Sequence, residues 1–309
     1  MTQDILSDWD AQKAAGFGKE LIVAHHNLHE RPMFSDDGLA DLLDRYPREA
    51  FGIYTMDNER RDKTSFRKGD PGNLNGEQLM QAVQQGRLWI NLRNANAHLP
   101  EYAELCDEMF DEVDSKTPGL KTIKRDCGVL ISSPNARVFY HLDIPMVMLW
   151  QIKGEKNFYL YPKGEAFARD EQIESIVLRE TEEEIDYEPS FDEAAKHVLM
   201  QPGMVAGWPQ TAPHRIDNGN CTNVSLSCEF MTFEALVHAN ALYTNGAMRR
   251  WWGANPSIAN DGKAGKFAKA AMARGLKLFN SRKSFEKTSP PSFVVDLDAE
   301  NSVRDISAA

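Results

Sequence analysis

The sequence predicts a mainly β protein with flanking helices and a helical C-terminal region, and three observations point to it. Residues 138–143 read as a strand, whose alternation places His141 and Asp143 on one face and Leu142 on the other. Residues 148–162 read as a hairpin: two strand-like runs flank the turn at Gly154, and Pro162 closes the second. Residues 223–230 alternate as a strand, led in by the Gly-containing segment 201–209. A closed barrel is the architecture that sets short strands so far apart in sequence side by side.

The other elements follow in chain order. Residues 21–26 read as an early strand, and 38–46 as a helix entered through Ser35, Asp36 and Asp37. Residues 51–56 read as a second strand. The polar stretch 57–76, with turn residues at 68–73, is expected to be a flexible excursion bordering a substrate cleft. A helix over 76–86, a core strand over 88–92 and a helix over 102–113, stopped by Pro118 and Gly119, come next. Residues 170–193 carry Glu180, Glu182, Glu183, Glu184, Asp186 and Glu188, and such a charge run reads as a solvated insertion. Over 263–287, Lys266, Lys269, Arg274, Lys277, Arg282 and Lys283 alternate with apolar residues, which suits a packed amphipathic helix with its basic face in water. The tail after Ser284 is expected to be partly disordered despite the apolar run at 293–295. The expected division is an N-terminal extension over 1–126, a barrel core over 127–235 with its acidic insertion at 165–195, and a C-terminal helical region over 236–309.

Composition bounds the function. The chain has 309 residues, 42% of them hydrophobic and 26% charged, which is enough for one sizeable core. A formal net charge of −11 argues against a nucleic-acid role, because phosphate binding relies on clustered Lys and Arg. There is no apolar run near the roughly 20 residues that cross a bilayer, and the acidic first ten residues are unlike a signal peptide. A soluble cytoplasmic protein without a membrane partner is expected. Cys106, Cys127, Cys221 and Cys228 show no C-x-x-C pairing, so a zinc ribbon is not expected and a reducing compartment suits them.

Candidate chemistry gathers at His141, Asp143 and His214. Two imidazoles and one carboxylate form a facial set that leaves three positions of a non-haem Fe(II) ion open, the arrangement of an oxygenase. Residues 141 and 143 come from one strand, and His214 lies 71 residues on (214 − 143). H-x-D alone is a pattern of low specificity, and it gains meaning here from the hairpin and the distal strand around it. His and carboxylate ligands do not encode metal identity, so Mn, Ni and Zn stay open. His25, His26 and His29 have no interleaved carboxylate and read as structural. Arg215, beside His214, points to the other face of its strand and reads as a structural ion pair.

The chain resembles the JmjC and cupin-like branch of the Fe(II)- and 2-oxoglutarate-dependent oxygenases, which includes the asparaginyl hydroxylase acting on hypoxia-inducible factor. The likeness rests on the H-x-D of residues 141–143, on His214 and on Gln151-Ile152-Lys153-Gly154-Glu155-Lys156 with the apolar run to Pro162, over about residues 127–235. It implies a double-stranded β-helix, a jelly-roll barrel that holds iron through His141, Asp143 and His214. It also implies that Lys156, fifteen residues beyond His141 (156 − 141), pairs with the far carboxylate of 2-oxoglutarate. Such an ammonium is costly inside an apolar barrel unless a carboxylate meets it. The resemblance departs at Val138 and Val147, where a hydroxyl residue and an Asn are common. Tyr140, Asn91, Asn223 and Ser225 are the candidate substitutes in the cosubstrate pocket. Hydroxylation of a protein side chain or small molecule would accompany conversion of 2-oxoglutarate to succinate and carbon dioxide. A metal-binding cupin-like module without turnover and a JmjC-type regulatory protein are the alternatives. The resemblance also implies a homodimer through C-terminal helices.

Overall fold

The computed structural model describes residues 4–55, 66–279 and 290–306. The strands are β1 (Ile22–His25), β2 (Gly52–Thr55), β3 (Lys68–Asp70), β4 (Leu88–Leu92), β5 (Ile123–Ser132), β6 (Arg137–His141) and β7 (Met146–Lys153). They continue as β8 (Lys156–Leu160), β9 (Lys196–Met200), β10 (Met204–Gly207), β11 (His214–Asn218), β12 (Asn223–Met231), β13 (Phe293–Val295) and β14 (Val303–Asp305). The helices are α1 (Ala11–Gly16), α2 (Asp36–Arg45), α3 (Gly76–Gln85), α4 (Ala95–His98), α5 (Pro100–Lys116), α6 (Asp170–Val177), α7 (Phe233–Trp252) and α8 (Lys263–Phe279).

Two sheets form, a large one ordered β1-β10-β7-β12-β5-β4-β2-β3-β13-β14 and a small one ordered β6-β11-β8-β9. Within them β5 pairs with β12, β6 with β11, β7 with β10 and β8 with β9, each antiparallel. The chain from β5 to β12 is thus one long hairpin, folded back between β8 and β9 and wound so that its pairs fall in alternate sheets. That winding is the double-stranded β-helix. It brings β6 and β11, far apart in sequence, into direct contact.

Strand alternation sorts the side chains between two cores. On the outer face of the large sheet, Ile90, Val129, Ile131, Trp150 and Leu226 pack with Leu39, Leu43, Leu79, Val83, Leu105 and Phe110 from α2, α3 and α5. Fully burying each of these side chains contributes about 1.5–3 kcal/mol. The inner face meets the small sheet through Val147, Leu149 and Ala206 against Phe158, Leu160 and Ile216. Covered on both faces, β7 is buried from Met146 to Ile152 and reads as a continuous apolar run. The helices start where their caps dictate: the Ser35 hydroxyl accepts from Gly38 N at 3.1 Å, Asn75 and Gln78 form a capping box, and Pro100 occupies the first turn of α5.

Three expectations need correction or limits. The tail is not disordered over its described part: β13 runs parallel to β3 and antiparallel to β14, extending the large sheet. Phe293 is fully buried over Gly69, where an added Cβ would come within 2.2 Å of the ring, so only glycine leaves it room. Of the polar stretch 57–76, residues 57–65 lie outside the described residues, and 68–70 form β3 rather than loop. Of the basic stretch, residues 263–279 form α8 packed on α7, and 280–287 lie outside the described residues. The strand β5 spans residue 126, and β2 to β4 continue the same sheet. Among the described residues, no helix is long and apolar enough to cross a membrane.

Candidate metal centre

His141 ends β6 and His214 begins β11, and the two are directly opposed in register. Asp143 follows two residues beyond the end of β6, and its carbonyl accepts from Thr211 N at 3.3 Å, which ties the two ligand-bearing segments together. One donor atom from each of His141, Asp143 and His214 can be chosen so that all lie within 4.8 Å of one another.

Backbone carbonyls set the tautomers. His141 Nδ1 lies 2.7 Å from the carbonyl of Phe139, and His214 Nδ1 lies 3.1 Å from that of Ala212. A carbonyl only accepts, so each Nδ1 carries the proton and each Nε2 presents a lone pair. His214 Nε2 sits 3.3 Å from Asp143 Oδ2, so two electron-pair donors face each other with no proton between them. A cation held by both would resolve that contact, and His141, Asp143 and His214 offer the nitrogen and oxygen donors for one. Burial first, and His141 second, hold His214 well below its ordinary range, which keeps the imidazole neutral, as a ligand requires. Burial raises Asp143, with Glu183 adding to it and His141 opposing. Trp208 and Phe158 pack against the His214 ring at 4.7 and 5.8 Å between centroids and close the centre on that side.

Lys156 opens β8, opposite Asn218 of β11. In register it shares a face with Phe158, Leu160 and His214, so it points between the sheets, and it is 3% exposed. Its ammonium has no hydrogen-bond or ion-pair partner among the described residues, and burial lowers its pKa to about 7. A buried cation without a partner, four strand positions or about 13 Å from the His214 backbone, fits the far carboxylate of a dicarboxylate bound at the metal.

The other candidates fall in different places. Tyr140 is a correction: it lies on the outer face of the small sheet among Tyr161, Ile173 and Ile185, and its hydroxyl donates to the Phe167 carbonyl at 2.8 Å. A register shift between His214 and Ile216 puts His141 and Val138, three apart, on the inner face of β6. Asn223 is a second correction. Its Oδ1 accepts from Gln151 Nε2 at 2.8 Å and its Nδ2 donates to the Cys221 carbonyl at 3.0 Å, so both ends of the amide are engaged. Ser225 donates to Gln151 Oε1 at 2.7 Å, and only its lone pairs remain, which cannot serve a carboxylate. Three acceptors around Gln151 Nε2, on Asn223, Lys153 and Gly154, fix the orientation of that amide. Asn91 stays available: it opposes Leu130 on the inner face, is 8% exposed and makes no side-chain hydrogen bond among the described residues. Arg215 is an ion pair and more, stacked 3.6 Å above the Tyr159 ring and bonded to Asp192 at 2.8 Å.

Sequence reasoning missed Glu229 and Asp126, which oppose each other across β12 and β5. Burial, then Asp143 and Glu183, pushes Glu229 up to about 8. The two-residue period from Ser225 through Ser227 to Glu229 was the signal that could have found it.

The chain matches no known family profile and no curated protein. Among solved structures, that of YcfD from E. coli aligns over 93% of this chain and 71% of its own, at 16% identity and a TM-score of 0.50. The fold is that of YcfD. A second structure, of the Escherichia coli ribosomal oxygenase YcfD, covers 92% of this chain and 70% of its own at 15% identity, with a TM-score of 0.49. A YcfD structure in complex with cobalt and 2-oxoglutarate covers 87% and 66% at 17% identity, with a TM-score of 0.45.

Proposed function

We propose that this chain is an Fe(II)- and 2-oxoglutarate-dependent oxygenase that hydroxylates a protein side chain. The observation that carries the reading is the meeting of His214 Nε2 and Asp143 Oδ2 at 3.3 Å, beside His141, with both imidazoles turned by backbone carbonyls to present Nε2. Iron with 2-oxoglutarate supplies oxidation of a C–H bond by dioxygen, with succinate and carbon dioxide as coproducts. His141, Asp143 and His214 would hold the ion, three protein ligands that leave room for the cosubstrate. Lys156 would fix the far carboxylate of the cosubstrate, with Asn91 as the polar neighbour still able to donate. Phe158 and Trp208 would keep water from the centre.

A protein substrate is favoured over a small molecule because YcfD, whose fold the chain shares, is a ribosomal oxygenase. Fold alone does not confer activity, so the reading stands on the metal centre. A homodimer through α7 and α8 belongs to the same proposal, supported by exposed Phe233 and Phe267 with rings 5.8 Å apart, and light scattering tests it. A cytoplasmic location accompanies the reading.

The test is an anaerobic titration of metal-free protein with Fe(II) and then 2-oxoglutarate, following the visible metal-to-ligand charge-transfer band. The band is expected in the wild type, lost in His214→Ala and weakened in Lys156→Ala. Iron binding without the band would reject the cosubstrate and leave a metal-binding module. A band without succinate formation on any protein substrate would reject turnover.

A further inference from the structure

The turn before His214 is held more firmly than a connection between strands requires. Pro209 and Pro213 bracket it, and each has its φ fixed by its ring. Ala212 N donates to the Pro209 carbonyl at 3.1 Å, and the third residue of the turn this bond closes, Thr211, is buried with a φ of 59°. Glycine usually fills such a position, because a β-branched side chain is crowded there. A threonine persists in it only where its surroundings fix the backbone.

Those surroundings are bonds to three other segments. Thr211 N donates to the Asp143 carbonyl at 3.3 Å, and Gln210 Nε2 donates to the Ile144 carbonyl at 2.7 Å and to that of Ala235, in the first turn of α7, at 3.1 Å. Just past β8, the strand that carries Lys156, Tyr161 N donates to the Pro213 carbonyl at 2.9 Å and Lys163 Nζ to the Gln210 carbonyl at 2.8 Å. Carbonyls only accept, so the Gln210 amide must turn its NH2 group to Ile144 and Ala235. Asp143 lies beyond the end of β6, outside its strand pairing, and these bonds to residues 143 and 144 tie it to the segment that carries His214.

We propose that Gln210 and Thr211 are positioning residues of the metal centre, which fix Asp143 relative to His214 before the ion binds. The proposal rests on the metal-centre reading above. Neither residue is itself a ligand. With the loop at Asp143 already ordered, the ion does not have to order it, and affinity for the metal depends on the turn.

The test uses the full chain without metal, titrated anaerobically with Fe(II) alone, while thermal unfolding of the metal-free protein is followed in parallel. Gln210→Leu keeps the bulk and removes both donors. Thr211→Gly removes the crowding and frees the backbone. Each is expected to weaken Fe(II) binding about tenfold. Metal-free Thr211→Gly should keep a stability close to that of the wild type, because relief of the crowding offsets the freer unfolded chain. Fe(II) affinity unchanged in both variants, or an affinity that falls only in step with metal-free stability, would overturn the proposal. Adding 2-oxoglutarate to the Fe(II) forms separates it from the oxygenase reading. Variants that bind Fe(II) as the wild type does, with the charge-transfer band intact, would reject the positioning role and leave the oxygenase. A tenfold loss in both variants, with no band in the wild type, would reject the cosubstrate and uphold the positioning role.

Discussion

At the residue scale, the centre works through hydrogen bonds that define lone pairs. Each ligand imidazole is fixed by the carbonyl two residues before it, so the local backbone chooses the tautomer. Lys156 carries the cost of burying an ammonium that has no partner among the described residues. Its folded pKa of about 7 lies below the unfolded value of about 10.4, so the folded chain binds fewer protons than the unfolded one and stability rises with pH between them. The penalty is full below pH 7, fades through the window from 7 to about 10.4 and is absent above it. Lys156→Met should therefore stabilise the cosubstrate-free protein by about 1–4 kcal/mol at pH 6, with the gain vanishing toward pH 10.4, while 2-oxoglutarate binding is lost. Urea unfolding at several pH values checks it, and a variant less stable than wild type at pH 6 would contradict the unpaired-ammonium account.

At the element scale, a buried carboxylate is the centre of the contacts that join the insertion to the C-terminal helices, which also include Arg250 with Glu180 and Ser175. Glu174 of α6 has no exposed side-chain surface and accepts from Arg249 at 2.8 Å and Arg250 at 3.3 Å, both on α7. Burial still raises its pKa despite the two guanidinium groups, so pairing does not fully offset its desolvation. Glu174→Gln keeps an acceptor in place and should cost under about 1 kcal/mol, whereas Glu174→Ala removes the acceptor that Arg249 and Arg250 share, leaves them their bonds to Asn255, Pro256, Glu180 and Ser175, and should cost about 1–2 kcal/mol. Hydrogen exchange over residues 165–191 is the measurement. Equal protection in the two variants would show that α6 is held by other contacts.

On the scale of the whole molecule, the large sheet is completed from both ends of the sequence. The strand β13 seals the edge at β3, and Phe293 fills the space that Gly69 leaves. Phe293→Ala should cost about 3–5 kcal/mol, a large share of the roughly 5–15 kcal/mol that holds a domain folded. Thermal unfolding checks it. A shift of under a degree would mean that the tail strands dock without supporting the sheet.

Much of this was legible in the chain because it is local. Alternation along a single strand put His141 with Asp143 on a common face, and the Gly154 turn marked the hairpin that carries Lys156, whose face only the pairing of β8 with β11 decided. The helix start at Ser35 was equally local, set by one capping side chain. Tertiary structure alone decided the rest. The shifted register between β6 and β11 determines which residues of β6 face the metal, and it is a property of two strands, not of one. Asn223 and Ser225 are taken by Gln151 from another strand, so their availability depends on a partner more than 70 residues away. The tail becomes strand because a sheet edge with unpaired backbone groups receives it, and no property of residues 293–295 by themselves could reveal that edge. Residue chemistry proposes donors and faces; only pairing across the folded chain determines which of them meet.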